Sequence, residues 1–276
     1  MESRLTYREK CRDVCWQKQL RDKYENEGIP NVPFLDVSKA IVRPISNKQA
    51  AQIIKKYEWL GTMGCGITNS YGIFFGMYCA GVTTFAPAGF GLPALAKTFK
   101  IDGSKLRYLA RGANVHWAPV GSNSKLIAWS LKFEAKNGGK LAIAFADSDA
   151  GEIGTVYQAS NWIYIGKGNS WKQFVSKNGK IWSYNSFTKW AKDNKLGRDG
   201  GIEKLEKNGW TIQDTNPKGR YVFILDRSDS ELIKIVESMR QPYPKRPKQA
   251  MASNQEAQRR GSTYPDAPTK TISDEK

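Results

Sequence analysis

The chain has 276 residues with 43 Lys and Arg against 26 Asp and Glu, a formal charge of +17, enough length for one large domain or two small ones and enough positive charge to call for a polyanion, nucleic acid first. One histidine and four cysteines (Cys11, Cys15, Cys65 and Cys79) complete neither a disulfide framework nor a zinc set, so no metal site is assigned, metal dependence stays open, and a reduced, cytoplasmic setting fits. No run approaches 18 apolar residues and Met1 to Lys10 has no apolar core, which argues against a membrane span and a signal peptide.

In chain order, Thr6 to Glu27 is polar, lacks Gly and Pro, and carries a thin apolar stripe (Val14, Leu20, Tyr24). It reads as a surface helix stopped at Gly28. Val37 to Pro44 reads as a strand. Ser46 caps a helix from Asn47 to Leu60, stopped at Gly61. Tyr71 to Phe85 suits one or two strands around Gly76 and Gly81, followed by a glycine-rich loop from Pro87 to Pro93. Lys105 to Val115 is a strand, Asn123 to Asn137 a helix, and Lys140 to Ala146 a strand. An acidic turn (Asp147, Asp149) and a glycine-bounded start (Gly151, Gly154) lead to a short helix with Tyr157, then a strand from Trp162 to Ile165.

Trp171 to Arg198 is aromatic and basic and resists assignment to an element. Ile202 to Asn208 reads as a short helix, Tyr221 to Leu225 as a strand and Glu231 to Met239 as a helix. From Arg240 the composition turns to Pro, Lys, Arg, Ser and Gln. That stretch holds eight Lys and Arg against four Asp and Glu, which leaves +13 on the rest; it is expected to be disordered. The order argues an α/β fold, a central mixed sheet flanked by helices. Residues 1–36 are then an N-terminal helix and linker, 37–239 the catalytic domain and 240–276 a basic, Pro-rich tail.

Two stretches carry chemistry. The strand ending at Asp147 and the helix carrying Tyr157 bring two proton-handling groups to one sheet edge, as transfer to an amine requires. Asp147 equally fits a helix N-cap, and Tyr157 a core aromatic. Upstream, a strand runs into a loop and helix start at Val120, Gly121, Ser122, Asn123, Ser124 and Lys125. Such a loop offers free N–H groups to a phosphate, or forms an ordinary cap through Ser122 or Asn123. His116 is a candidate base or substrate contact, or a structural strand-end histidine. Arg111, next to Gly112, binds a phosphate or pairs with a buried carboxylate.

Arg-Gly-Ala-Asn-Val-His-Trp-Ala-Pro (Arg111 to Pro119), Asn-Ser-Lys-Leu-Ile (Asn123 to Ile127) and Ala-Asp-Ser-Asp-Ala-Gly-Glu-Ile-Gly-Thr-Val-Tyr-Gln-Ala-Ser-Asn-Trp (Ala146 to Trp162) together resemble the Mom family of phage DNA-modification proteins, a divergent branch of the GNAT fold. The likeness runs more loosely from Val42 to about Lys245. It implies a GNAT-like sheet and modification of adenine in double-stranded DNA at its exocyclic amine, which protects the DNA from restriction. It also implies Asp147 and Tyr157 as catalytic pair and the Val120–Lys125 loop as the donor site. The family's early helix often carries a histidine before its glycine stop. Here Tyr57, Glu58 and Trp59 stand there, which counts against a base in this segment. The family's product carries a carbamoylmethyl group, so the donor is open between acyl-coenzyme A, another activated acyl donor such as an aminoacyl-tRNA, and a metal-assisted route.

Base chemistry in a duplex needs a flipped base and a pocket of aromatic and amide side chains. Trp59, Asn114, Trp117, Asn161 and Trp162 lie in the matching stretches. Lys172 and Lys189, in the basic aromatic segment, are candidate DNA contacts; the same segment also reads as a lysine-decorated helix and hairpin over a hydrophobic seam. The competing functions are an N-acyltransferase acting on a protein or small-molecule amine, and a nucleic-acid-binding protein that has lost catalysis.

Overall fold

The computed structural model describes residues 16–64, 66–87 and 92–245; Cys11, Cys15, Cys65, the start of the first helix and residues 246–276 of the tail lie outside them. The described residues through Tyr243 form one compact unit. Its elements are α1 (Trp16–Lys23), β1 (Ile41–Ile45), α2 (Asn47–Tyr57), β2 (Asn69–Phe75), β3 (Tyr78–Pro87), α3 (Leu92–Thr98), β4 (Leu106–Asn114), α4 (Ser122–Lys136), β5 (Leu141–Ala146), α5 (Thr155–Ala159), β6 (Ile163–Lys167), β7 (Lys172–Val175), β8 (Ile181–Ser183), α6 (Tyr184–Asp193), α7 (Arg198–Lys207), β9 (Thr211–Asp214), β10 (Gly219–Ile224) and α8 (Ser230–Ser238).

Seven strands form a mixed sheet in the order β1-β2-β3-β4-β5-β10-β6. Every pair is antiparallel except β4 with β5. Helices cover both faces, and the alternation along β5 shows how. Ala142, Ala144 and Ala146 face the cluster containing Ala50 and Ile54 of α2 and Leu126, Ile127 and Leu131 of α4. Leu141 and Ile143 face the other, with Leu92 and Ala96 of α3 and Leu232 and Val236 of α8. A strand buried on both faces needs apolar residues at both parities, and the alanines let α4 approach closely. Among the described residues no helix is long and apolar enough to cross a membrane.

Local signals hold where they were strong. Ser46 forms a full capping box with Gln49 at the start of α2. Asn161 takes φ +60° just past α5, the left-handed conformation that the helix end requires. Gly154 starts α5 at φ +71°, and a Cβ there would lie 2.4 Å from the Tyr221 ring, so only glycine fits.

Other boundaries differ. The first strand begins at Ile41, not Val37. Of the loop expected from Pro87 to Pro93, residues 88–91 lie outside the described residues, and Leu92 and Pro93 open the helix Leu92–Thr98; Pro93 sits in its first turn, where its missing N–H costs nothing. Trp171 to Arg198 resolves into β7, β8 and α6, which join β9 and α7 in a second, three-stranded sheet of order β8-β7-β9 with its own core. The tail begins later than Arg240: the Gln241 N–H donates to the Tyr164 carbonyl at 2.8 Å and the Tyr243 hydroxyl to the Trp162 carbonyl.

Candidate active site

The parallel pair is short. β4 and β5 pair only over Leu106–Tyr108 and Leu141–Ile143. Beyond that, β4 continues beside β3 to Asn114 and β5 beside β10 to Ala146. Two strands that stop sharing hydrogen bonds open a wedge in the sheet, and the candidate site lies at its mouth.

Asp147 ends β5 on one wall. Its carboxyl is 3 % exposed and fully engaged: Oδ1 accepts the Asp149 N–H at 3.0 Å, capping a one-turn 3-10 helix, and Oδ2 lies 2.9 Å from Lys218 Nζ. The N-cap reading of Asp147 is therefore realised. Five residues on, the chain closes a ring. The Asp147 N–H donates to Glu152 Oε2 at 2.9 Å, and the Glu152 N–H donates to the Asp147 carbonyl at 3.0 Å. Burial and the Asp147 charge push the Glu152 carboxyl above its usual range, while Lys218 and a hydrogen bond from Trp59 pull it back.

The opposing wall carries a residue that the sequence reading passed over. Glu58 caps the end of α2 and is 8 % exposed. Its Oε2 accepts the N–H groups of Leu60 at 2.7 Å and Gly61 at 2.9 Å. Burial, with a smaller push from the Glu152 charge, raises its carboxyl to about 6, against the pull of Arg111 and the two N–H donors. Arg111 is fixed by its own backbone contacts, Nε to the Thr62 carbonyl at 2.9 Å and Nη1 to the Ala110 carbonyl at 2.7 Å. Tyr157 stands on α5 with its ring 5.3 Å from both Trp162 and Tyr221. Burial first, then the negative charges of Glu152 and Glu58, push its phenol far up, so it keeps its proton. Glu58, Glu152, Arg111, Asp147, Tyr157, Trp59 and Lys218 thus form one electrostatically connected cluster. The sequence signal for Glu58 is a titratable residue just before the Gly61 stop, where the resembling family often carries a histidine.

The remaining candidates scatter. His116 packs against Tyr24 and Tyr57, with Nε2 3.1 Å from the Gly28 carbonyl, on the side of the N-terminal segment. Trp162 is fully buried in the core against Tyr157 and Phe223. Asn114 is buried at the end of β4, opposite Gly81. Trp117 packs on Phe75. Asn161 is exposed and lines a groove of about 380 Å³ with Phe223, Arg227 and Ile233, toward the end of β10 away from Asp147. Lys172 pairs with Asp214 at 2.9 Å and Lys189 is exposed on α6, both in the second sheet's module.

At the Val120–Lys125 loop the helix cap is Gly121, at φ +90°, with no side-chain cap bond. Neither Ser122 nor Asn123 caps. Ser122 is fully buried, and its Oγ and Asn123 Oδ1 have no partner among the described residues. The Ser122 N–H donates to the Pro119 carbonyl at 3.1 Å and the Lys125 N–H to the Gly121 carbonyl at 3.0 Å, which leaves the N–H groups of Asn123 and Ser124 in the first turn for an anion. Ser124 is half-buried and Val120 is 86 % exposed. Lys125 is committed elsewhere, donating to the carbonyls of Val37 and Ser38 at 2.8 and 2.7 Å. Among the described residues no three His, Cys, Asp or Glu side chains converge as a metal-binding group.

Residues 39–245 match the sequence profile described as the Mom protein family. No curated protein matches the chain. Solved structures similar to it include FeeM, an N-acyl amino acid synthase from uncultured soil microbes (13 % identity, 70 % of this chain and 94 % of that one, TM-score 0.40). A Bacillus subtilis acetyltransferase in complex with CoA is similar at 9 % identity, over 67 % of this chain and 99 % of that one, TM-score 0.37. The ribosomal-protein-S18-alanine N-acetyltransferase from Escherichia coli is similar at 6 % identity, over 69 % and 97 %, TM-score 0.39.

Proposed function

The chain belongs to the Mom protein family, and on that premise we propose that it is a transferase that moves an acyl-derived group from an activated donor to the exocyclic amine of adenine in double-stranded DNA, a modification that shields the DNA from restriction. The observation that carries this reading is the buried acid cluster at the β4–β5 wedge, with the uncapped start of α4 following β4 on the same edge.

The adenine amine is a weak nucleophile because its lone pair is delocalised into the ring. A base must take its proton as the new N–C bond forms. Glu58, with its carboxyl raised to about 6, is ionised at neutral pH yet basic enough to accept that proton. Glu152, anchored by the Asp147 N–H and Trp59, keeps Glu58 from ionising too readily. As the donor's bond to its leaving group breaks, Tyr157, which retains its proton, hydrogen-bonds to the departing atom and can protonate it. Arg111 stabilises negative charge that develops between them. The Asn123 and Ser124 N–H groups at the start of α4 suit a phosphate of a donor such as acyl-coenzyme A.

The test is nucleoside mass spectrometry of plasmid DNA co-expressed with the protein. A new adenine species that disappears with Glu58→Gln supports the reading, and its mass fixes the transferred group. Unmodified adenine together with acylated protein or small-molecule amines assigns the chain to N-acylation of those instead.

A further inference from the structure

Glu58 to Gly61 form a tight turn wrapped round the proposed base. The Gly61 N–H donates to the Glu58 carbonyl at 3.0 Å and closes it, so Trp59 and Leu60 are its two corner residues. The inside of the turn is filled by its own first side chain: Glu58 Oε2 accepts the Leu60 and Gly61 N–H groups at 2.7 and 2.9 Å. Arg111 holds the far end, its Nε donating to the Thr62 carbonyl at 2.9 Å. Trp59 is half-buried and hydrogen-bonded to Glu152. The turn is thus fixed by the same groups that make up the acid cluster.

The corners of tight turns favour Pro, Asp, Asn, Ser and Gly; here they hold tryptophan and leucine. Leu60 is 43 % exposed and packs into none of the hydrophobic clusters of the described residues. A lone exposed leucine is ordinary on a protein surface, but this one is set apart by its place. Its side chain branches from the carbon next to a nitrogen that lies 2.7 Å from the Glu58 carboxylate. Glu58 itself is 8 % exposed. The amine of an adenine in a duplex is stacked and paired with the opposite strand, so it reaches a buried acid only after the base has swung out. The step left empty is costly unless an apolar side chain fills it.

We propose that the Glu58–Gly61 turn is the element that extrudes the target adenine: Leu60 enters the base stack of the duplex and occupies the place the adenine leaves, which lets the amine reach Glu58. The proposal rests on the reading of DNA adenine as substrate. Leucine suits the task because it has no polar atom to desolvate, and apolar side chains of its size are the ones that wedge between base steps. The turn presents it already ordered, so little conformational freedom is lost on insertion. Because the wedge and the base sit on one turn, an adenine forced out of the stack is delivered beside the group that takes its proton. Leu60 bonds to no base edge, so it acts at any adenine and sets no sequence preference.

The test compares the full chain with its Leu60→Ala variant, which keeps both bonds to Glu58 because they come from the backbone. Duplexes carry 2-aminopurine in place of adenine in every neighbouring-base context, since its emission rises when it leaves the stack. Wild type is expected to raise that emission on binding, and Leu60→Ala at saturating protein to lose most of the rise. On supplied DNA the variant should modify paired adenine roughly 10- to 100-fold more slowly, yet an adenine facing an abasic site, which needs less help to leave, within about 3-fold of wild type. The ratio of the two rates does not depend on how much of the variant is folded. Leu60→Met, which restores an apolar side chain, should recover the paired rate. An equal loss on paired and unpaired adenine, an unchanged paired rate in Leu60→Ala, or the same emission with both proteins overturns the proposal. The two readings fail separately. Emission that rises with wild type and not with the variant, without any modified adenine, removes the transferase reading and leaves the extruding turn. Modified adenine at an unaltered paired rate in the variant removes the extruding turn and leaves the transferase.

Discussion

Glu58→Gln separates the proposed base from a structural cap because its two effects have opposite signs. In the fold the Glu58 carboxyl rises from an ordinary 4.5 to about 6. The folded chain then binds more protons than the unfolded one between those values, so stability falls as pH rises through them. The cost is absent below about pH 4.5 and complete above pH 6. A rise of about 1.5 units corresponds to about 2 kcal/mol. Glutamine removes the buried charge and keeps an oxygen for the Leu60 and Gly61 N–H groups. The variant should therefore be more stable at pH 7.5 by up to about 2 kcal/mol, or about 4–8 °C in Tm for a domain of this size, and no more stable than wild type at pH 4.5.

Activity should move the other way. Losing a general base costs about 10²- to 10⁴-fold. The wild-type rate should climb with pH through about 6 as Glu58 ionises, and that limb should vanish in the variant. The assay is the initial rate of adduct formation on supplied duplex DNA, in buffered lysate that provides the donor, read by nucleoside mass spectrometry beside thermal melts of the purified protein. A variant within about 3-fold of the wild-type rate, or a wild-type rate flat from pH 5 to 8, refutes the base. Activity lost in step with a lowered Tm assigns Glu58 to capping alone.

Tyr157→Phe should lower the same rate by about 10²- to 10⁴-fold with Tm nearly unchanged, because the ring contacts with Trp162 and Tyr221 survive; a normal rate removes the acid role. Truncation after Met239 deletes the Gln241 and Tyr243 bonds to β6 and should cost about 2 kcal/mol at roughly 1 kcal/mol per bond, whereas truncation after Lys245 should leave the melt unchanged. Equal melting temperatures for the two truncations contradict the boundary drawn here.

The legible parts of this fold are those that short-range physics decides. The Ser46 box, the alternation of β5 and the left-handed Asn161 each depend on neighbours within a few residues. The helix at Leu92 was hidden because glycines and a proline at its start read as punctuation, although proline is harmless in a first turn. The insert was hidden because strands of three and four residues are too short to show a period. Glu58 was hidden for a different reason. A glutamate at a helix end reads as solvated, and the groups that act on this buried one, Arg111 and Glu152, lie more than fifty residues away in sequence. Burial of that kind leaves no local trace.

Asp147 shows the converse: its sequence context marks it as a proton-handling group, but its geometry points to a different task. Both its oxygens are spent, one on a backbone N–H and one on Lys218, and what it offers the cluster is a backbone N–H that holds Glu152. The five-residue spacing from Asp147 to Glu152 is what closes that ring, so the acidic turn presents Glu152 to Glu58 and Tyr157. A positioning residue and a base predict different rankings. Asp147→Asn preserves the backbone ring and an acceptor for the Asp149 N–H, weakens the Lys218 pair and removes a charge that raises the Glu152 carboxyl, so the rate should fall by less than about 10-fold. Glu152→Gln and Glu58→Gln, which touch the proton-handling groups themselves, should fall by about 10²-fold or more. Lys218→Met should reproduce the small Asp147→Asn effect, since it breaks the same pair. If Asp147→Asn proves the most damaging of the four while its melt is unchanged, the base is Asp147 and the raised carboxyl of Glu58 is a consequence of burial alone.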